Sequence, residues 1–152
     1  MKITSPAFEH GDIIPQTYTC DGMDISPPLL FIDVPKEAQS LALIMEDPDV
    51  PKTIRPDGLW VHWLVWDMPS DVAEIPEGVE APGVIGQNTS GEARYHGPCP
   101  PQAEHRYFFK LFALDINLTE ARIASREDFF AAMAGHILAE TELMGKYNRQ
   151  KT

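Results

Sequence analysis

Leu59-Trp60-Val61-His62-Trp63-Leu64-Val65-Trp66 is the stretch on which the fold turns. Aromatic and β-branched side chains dominate it, and these favour the pleated strand. Apart from His62 every residue is apolar, which marks a central strand covered on both faces. Period-two alternation predicts Trp60, His62, Leu64 and Trp66 on one face, with Val61, Trp63 and Val65 on the other. An ionisable ring thus enters an otherwise apolar strand.

Two further runs have the same character. Leu41 to Glu46 (Leu-Ala-Leu-Ile-Met-Glu) reads as a short buried strand. Arg106 to Leu114 reads as another, with Tyr107, Phe109 and Leu111 on the face of His105. Weaker strands are expected at Leu29–Ile32 and Val84–Gln87. The C-terminal part alone looks helical: Ser125 and Asp128 fit a capping box. Phe129, Phe130, Met133, Ile137 and Leu138 follow at helical spacing, predicting a helix over 126–146 with His136 inside it. A shorter turn of helix is expected at Glu120–Ala124. Nothing in the sequence divides the chain, so residues 1–152 are read as one domain.

The bulk properties narrow the function. A chain of 152 residues with 43% apolar content can bury a core of its own. Its 14 prolines exceed the usual share of about 5% and point to many turns. A net charge of −11 disfavours nucleic acid and anionic lipid surfaces, which are held by Lys and Arg. No run approaches the roughly 20 apolar residues of a membrane span. Met1 to Pro6 has no apolar signal core, so a cytoplasmic protein is expected. Cys20 and Cys99 have no CxxC spacing; two reduced thiols are expected there, with a pair between them as the alternative.

Two proline-bearing loops carry the chemistry: Asp47-Pro48-Asp49-Val50-Pro51, and Tyr95-His96-Gly97-Pro98-Cys99-Pro100-Pro101 running on to His105-Arg106-Tyr107. Proline fixes the backbone and removes a donor, so such loops hold polar groups in place before a ligand arrives. His62, His105 and the Tyr107 hydroxyl can donate to an anion, and the Gly97–Cys99 amides can add to them. Asp47 fits beside an anion if it accepts a hydrogen bond from a pocket histidine. The plainer readings are a simple Asp-Pro turn, a core histidine and stiffening prolines. Trp60, Trp63 and Trp66 are read as mostly core, with at most one lining the site.

These motifs, together with Tyr18-Thr19-Cys20-Asp21-Gly22 and Ser26-Pro27-Pro28-Leu29, keep one order along the chain. In that order they resemble the phosphatidylethanolamine-binding protein family in its short bacterial, Raf kinase inhibitor-like form. The resemblance implies a mainly β fold: a large central antiparallel sheet, a smaller sheet packed on it, and peripheral helices. It implies a preformed pocket for phosphate, acetate or phosphorylated head groups, built by Asp47, His62, Pro100, Pro101, His105 and Tyr107. Asp49 and Trp60 would lie close by, and Tyr95 and Gly97 on the edge. Eukaryotic members bind signalling partners, including kinases, and often add a C-terminal helix beside the pocket. This chain stops at Thr152, which implies a more open pocket or one closed by a second subunit.

Three classes of function compete. A non-catalytic small-anion binder that regulates a partner such as a kinase is the favoured one, with no cofactor and no metal. An interaction protein with a vestigial pocket is the second. The third is a hydrolase using Cys99 beside His105 or His96, or Asp47, His62 and His105 as metal ligands. A homodimer is a further expectation from the family's bacterial members.

Overall fold

The computed structural model describes residues 1–149; the last three positions of the expected 1–152 domain lie outside them. The apolar runs form the strands of a five-stranded antiparallel sheet: β3 (Ser40–Asp47), β4 (Trp60–Pro69), β6 (Val84–Ile85), β7 (His105–Leu114) and β8 (Ile137–Tyr147). Their order across the sheet is β6-β4-β3-β7-β8. A smaller antiparallel sheet, β1-β2-β5, is made by β1 (Lys2–Thr4), β2 (Leu29–Ile32) and β5 (Glu74–Ile75). This is the mainly β, two-sheet architecture that the resemblance implied.

Alternation along the central strands divides the interior in two. Leu41, Leu43 and Met45 of β3 and Phe109, Leu111 and Ala113 of β7 face the smaller sheet, meeting Ile3, Leu29 and Phe31. Ala42, Ile44, Phe112 and Leu114 face the other way, onto Phe129 and Met133 of α1 (Arg126–Met133). Both faces of the central sheet are thereby covered, as its near-continuous apolar strands require.

The C-terminal helix is much shorter than predicted. Ser125 caps α1 by accepting from the Asp128 N–H at 3.1 Å, as the capping box requires. Gly135 at φ +82° then turns the chain out of the helix. Residues 137–147 become β8, which pairs with β7 from His105↔Tyr147 to Leu114↔Ile137. Ile137 and Leu138, expected on the helix's apolar stripe, sit exposed at the start of that strand. His136 lies in the turn and meets Asp115 at 2.8 Å, and the expected helical turn at Glu120–Ala124 is irregular chain.

One irregularity sets up the site. Met45 pairs with Trp63 and Glu46 with Val61, so β4 carries an extra residue, His62, at a bulge. The bulge breaks the predicted alternation. Trp63 and Val65 pack between the sheets, whereas Val61, Leu64 and Trp66 pack against the helix. His62 is thus parted from Leu64 and Trp66 and left at the end of the sheet.

Candidate functional site

The C-terminal end of β3 and the N-terminal ends of β4 and β7 meet at one end of the large sheet. A cavity of ≈ 240 Å³ opens there. Asp47, Trp60, His62, His105, Tyr107, Pro100 and Pro101 line it, joined by Val50, Ile54, His96 and Cys99. The cross-strand pair Asp47↔Trp60 supplies one wall. His105 and Tyr107, two residues apart on β7, supply another.

The best-defined polar contact is between two buried groups. His105 Nδ1 lies 2.6 Å from Asp47 Oδ2, and both side chains are only 4% exposed. The other Asp47 oxygen accepts the Asp49 N–H at 2.7 Å, closing the Asp-Pro-Asp turn on itself. Burial pushes the Asp47 carboxyl above its ordinary value, and the hydrogen bonds from His105 and Asp49 pull it back. With its Nδ1–H given to Asp47, His105 has Nε2 left for a ligand.

His62 is held differently. Its Nδ1 donates to the His96 carbonyl at 2.6 Å, while the His96 N–H donates to the His62 carbonyl at 3.0 Å. The two rings stack with centroids 5.9 Å apart. Burial pushes the His62 imidazole down to about 4, so the ring is neutral at physiological pH. The Tyr107 ring meets His62 edge-on at 5.3 Å. Burial first, and the Asp47 charge next, raise the Tyr107 hydroxyl well above its ordinary range, so it stays protonated.

Three of the expected residues stand behind the cavity. Asp49 takes Arg106 in a two-pronged ion pair, Nε to Oδ2 and NH2 to Oδ1, each 2.9 Å, and also accepts the Arg106 N–H. That clamp holds the 47–51 loop against the start of β7, beside the Asp47–His105 contact. Tyr95 is buried, donates its hydroxyl to the Tyr18 carbonyl at 2.7 Å and packs edge-on against Trp63. The Gly97 N–H donates to Asp24 Oδ1 at 2.7 Å, away from any anion nest. All peptide bonds among the described residues are trans, including Val50–Pro51.

The expectation of two reduced thiols is overturned: Cys20 and Cys99 form a disulfide. The bond joins the loop after Tyr18 to the Pro-Cys-Pro turn, where the Cys20 N–H also donates to the Pro98 carbonyl at 3.2 Å. A separation of 79 residues hid this proximity. Among the described residues, no three His, Cys, Asp or Glu side chains come together in a metal-ligating arrangement.

Sequence reasoning left out Val50, Ile54 and His96 as wall residues. Val50 lies inside the quoted proline loop and His96 between two named positions, so adjacency was a signal for both. Ile54 had none, since the bend of the 51–58 loop brings it over the cavity.

Two antiparallel sheets, with a cavity at one end of the larger walled by an Asp–His pair, a neutral histidine and a tyrosine, define a mainly β protein. The sequence model of the phosphatidylethanolamine-binding protein family matches residues 4–148, and the chain belongs to that family. It is 54% identical over 149 residues to a UPF0098 protein of Chlamydia pneumoniae, covering 98% of this chain and 99% of that one. A UPF0098 protein of Methanothermobacter thermautotrophicus is 46% identical over 155 residues, with the same coverage of 98% and 99%. Among solved structures, the phosphatidylethanolamine-binding protein homologue CT736 from Chlamydia trachomatis superposes with a TM-score of 0.94. It is 50% identical, over 98% of this chain and 97% of that one. E. coli YbcL, a member of the mammalian family, superposes with a TM-score of 0.84 at 25% identity, over 98% of each chain. No helix among the described residues is long and apolar enough to cross a membrane.

Proposed function

We propose that the chain is a non-catalytic binding protein for small oxyanions, with phosphate, acetate or a phosphorylated head group in the cavity. Ligand occupancy would regulate a partner protein such as a kinase. The observation that carries this reading is the buried Asp47–His105 hydrogen bond at the cavity wall. Together with the Asp49 N–H on the other oxygen it leaves both Asp47 oxygens bonded, and it turns His105 Nε2 into an oriented donor when the ring is protonated. The mostly apolar wall of Val50, Ile54, Trp60 and the two prolines suits a pocket that fixes a ligand with few polar groups.

The thiol route to catalysis finds no support, because Cys99 is tied to Cys20. A calorimetric titration with phosphate and phosphoethanolamine tests the proposal. Saturable binding is expected in the native protein and its loss in His105→Ala. Binding that survives unchanged in a folded His105→Ala variant would sink the assignment.

A further inference from the structure

On the cavity wall, the ring nitrogens of His62 and His105 are each fixed in role by a partner behind them. A carbonyl oxygen has no proton to give, so the 2.6 Å contact to the His96 carbonyl places the ring hydrogen of His62 on Nδ1. In a neutral ring Nε2 then carries a bare lone pair. His62 lines the cavity and is 4% exposed; its ring hydrogen bond is the Nδ1 contact to the His96 carbonyl, with the Gly97 backbone also close to the ring. Stacking on His96 and the edge of Tyr107 hold the ring against rotation. None of its hydrogen bonds is to a carboxylate that would favour a second proton. His62 is therefore an acceptor, not the anion donor that its residue type suggested.

We propose that the cavity selects an oxyanion that still carries a proton, hydrogen phosphate or a phosphomonoester monoanion, with its P–OH donated to His62 Nε2. The inference rests on the anion-binding reading above and narrows it: acetate and phosphodiester head groups, which carry no proton at neutral pH, should bind more weakly than hydrogen phosphate. Sulfate has nearly the same size and shape but no proton at neutral pH. It would set an oxygen lone pair against that of His62 in a site too buried for water to intervene freely, leaving the acceptor unsatisfied. A phosphomonoester loses its last proton near pH 6, whereas inorganic phosphate keeps one well above neutrality. The other titratable groups facing the ligand are Asp47, His96, His105 and Tyr107, with the Asp49–Arg106 pair behind them. At about pH 8 all three anions are mainly dianions. Because the Nδ1–H of His105 goes to Asp47, Nε2 of a neutral His105 is an acceptor as well. The contact with His62 is therefore isolated by comparing the anion ratios of the native protein with those of His62→Gln.

The test is calorimetric titration with inorganic phosphate, sulfate and methyl phosphate at constant ionic strength, at about pH 5 and about pH 8. Phosphate is expected to bind roughly tenfold or more tightly than sulfate at both. Methyl phosphate should match phosphate at the lower pH and fall roughly tenfold behind at the higher. Sulfate binding as tightly as phosphate overturns this inference while leaving an anion pocket in place. Failure of all three to bind overturns both readings. In folded His62→Gln the preference for phosphate should shrink, and an unchanged ratio also counts against the proposal. Ring-nitrogen NMR of the native protein reads the same point without a variant: the Nδ1–H form of His62 is expected, and the Nε2–H form would overturn it.

Discussion

Asp47 and His105, separated by 58 positions in the chain, share a 2.6 Å hydrogen bond between two side chains almost wholly removed from water. The contact joins the end of β3 to the start of β7 in the wall of the cavity at that end of the sheet. Removing either partner strands the other in a low-dielectric site. Asp47→Ala should cost about 3 kcal/mol of stability, measured by urea unfolding at neutral pH, and should abolish phosphate binding. In a double-mutant cycle with His105→Ala the two losses should be far from additive. Additive losses would mean that the contact contributes nothing as a pair.

His62 makes stability depend on pH between about 4 and 6.5. Its folded value is depressed to about 4 against 6.5 for the free side chain. Below about 6.5 the unfolded chain takes up a proton that the folded chain refuses, so acid favours unfolding. Stability from this group is complete above about pH 6.5 and should fall by about 2 kcal/mol by pH 5. Asp47, raised by burial, works with the opposite sign at the acid end. Glu46 and Asp49, both lowered, add acid sensitivity below the ordinary carboxylate range. Denaturant midpoints at pH 7, 6 and 5 should fall less steeply in His62→Gln than in the native protein, and parallel slopes would contradict the assignment.

Strands β2, β3, β4, β6 and β7 and the facing of His105 and Tyr107 were legible from apolar runs and alternation. In β7, Phe109, Leu111 and Ala113 do face one core and Phe112 and Leu114 the other. The short β1 and β5 carry too few residues to show a pattern. The facing of His62 was only half legible. Its place beside Trp60 followed from alternation, but the bulge opposite Met45 and Glu46 depends on a partner strand. Residues 137–147 misled for a related reason. Phe129, Phe130 and Met133 do form a helical stripe, and Ile137 and Leu138 continue its spacing by coincidence. Pairing with β7 along ten residue positions then overrides that local pattern. The disulfide leaves no mark in local sequence because it joins distant loops, and Ile54 reaches the cavity only through the bend of its own loop.

Gly97 was expected on the pocket's edge, yet its role is packing. A Cβ there would run into the Tyr18 carbonyl oxygen and the Asp24 carboxylate. The loop passes so close to residues 18–24 that only glycine fits, and the same approach lets the Gly97 N–H reach Asp24. Gly97→Ala should therefore push the 96–101 wall outward, lowering stability by about 2 kcal/mol and weakening phosphate binding. Thermal unfolding and calorimetry on this variant check both. Native-like values would show that the loop gives way freely.

Each tryptophan has a different environment, which separates their spectroscopic roles. Trp60 lines the cavity under the Arg55 guanidinium, 5.9 Å from its ring centre, while Trp63 and Trp66 lie in the two separate cores. A fluorescence change on adding phosphate should come from Trp60 alone. It is expected to vanish in Trp60→Phe and persist in Trp66→Phe. Persistence in the first variant would place the responding site elsewhere.

The Cys20–Cys99 bond closes a loop with a sequence separation of 79. On loop-closure entropy such a cross-link is worth about 4 kcal/mol. The hydrogen bonds from Cys20 to the Pro98 carbonyl and from Gly97 to Asp24 do not involve the sulfur atoms, so the loops are expected to remain neighbours in the folded state after reduction. The effect should then appear mainly as a lower unfolding midpoint in reductant, with far-ultraviolet dichroism unchanged before melting. The doubly substituted Cys20→Ser, Cys99→Ser protein should match the reduced native chain. Iodoacetamide should label neither cysteine until the bond is cut, and immediate labelling of native protein would show that the thiols are free. Because Cys99 lines the cavity and Cys20 does not, phosphate titrations of oxidised and reduced protein also report how far the bond holds the wall in place. A drop in affinity with unchanged stoichiometry is the expected result.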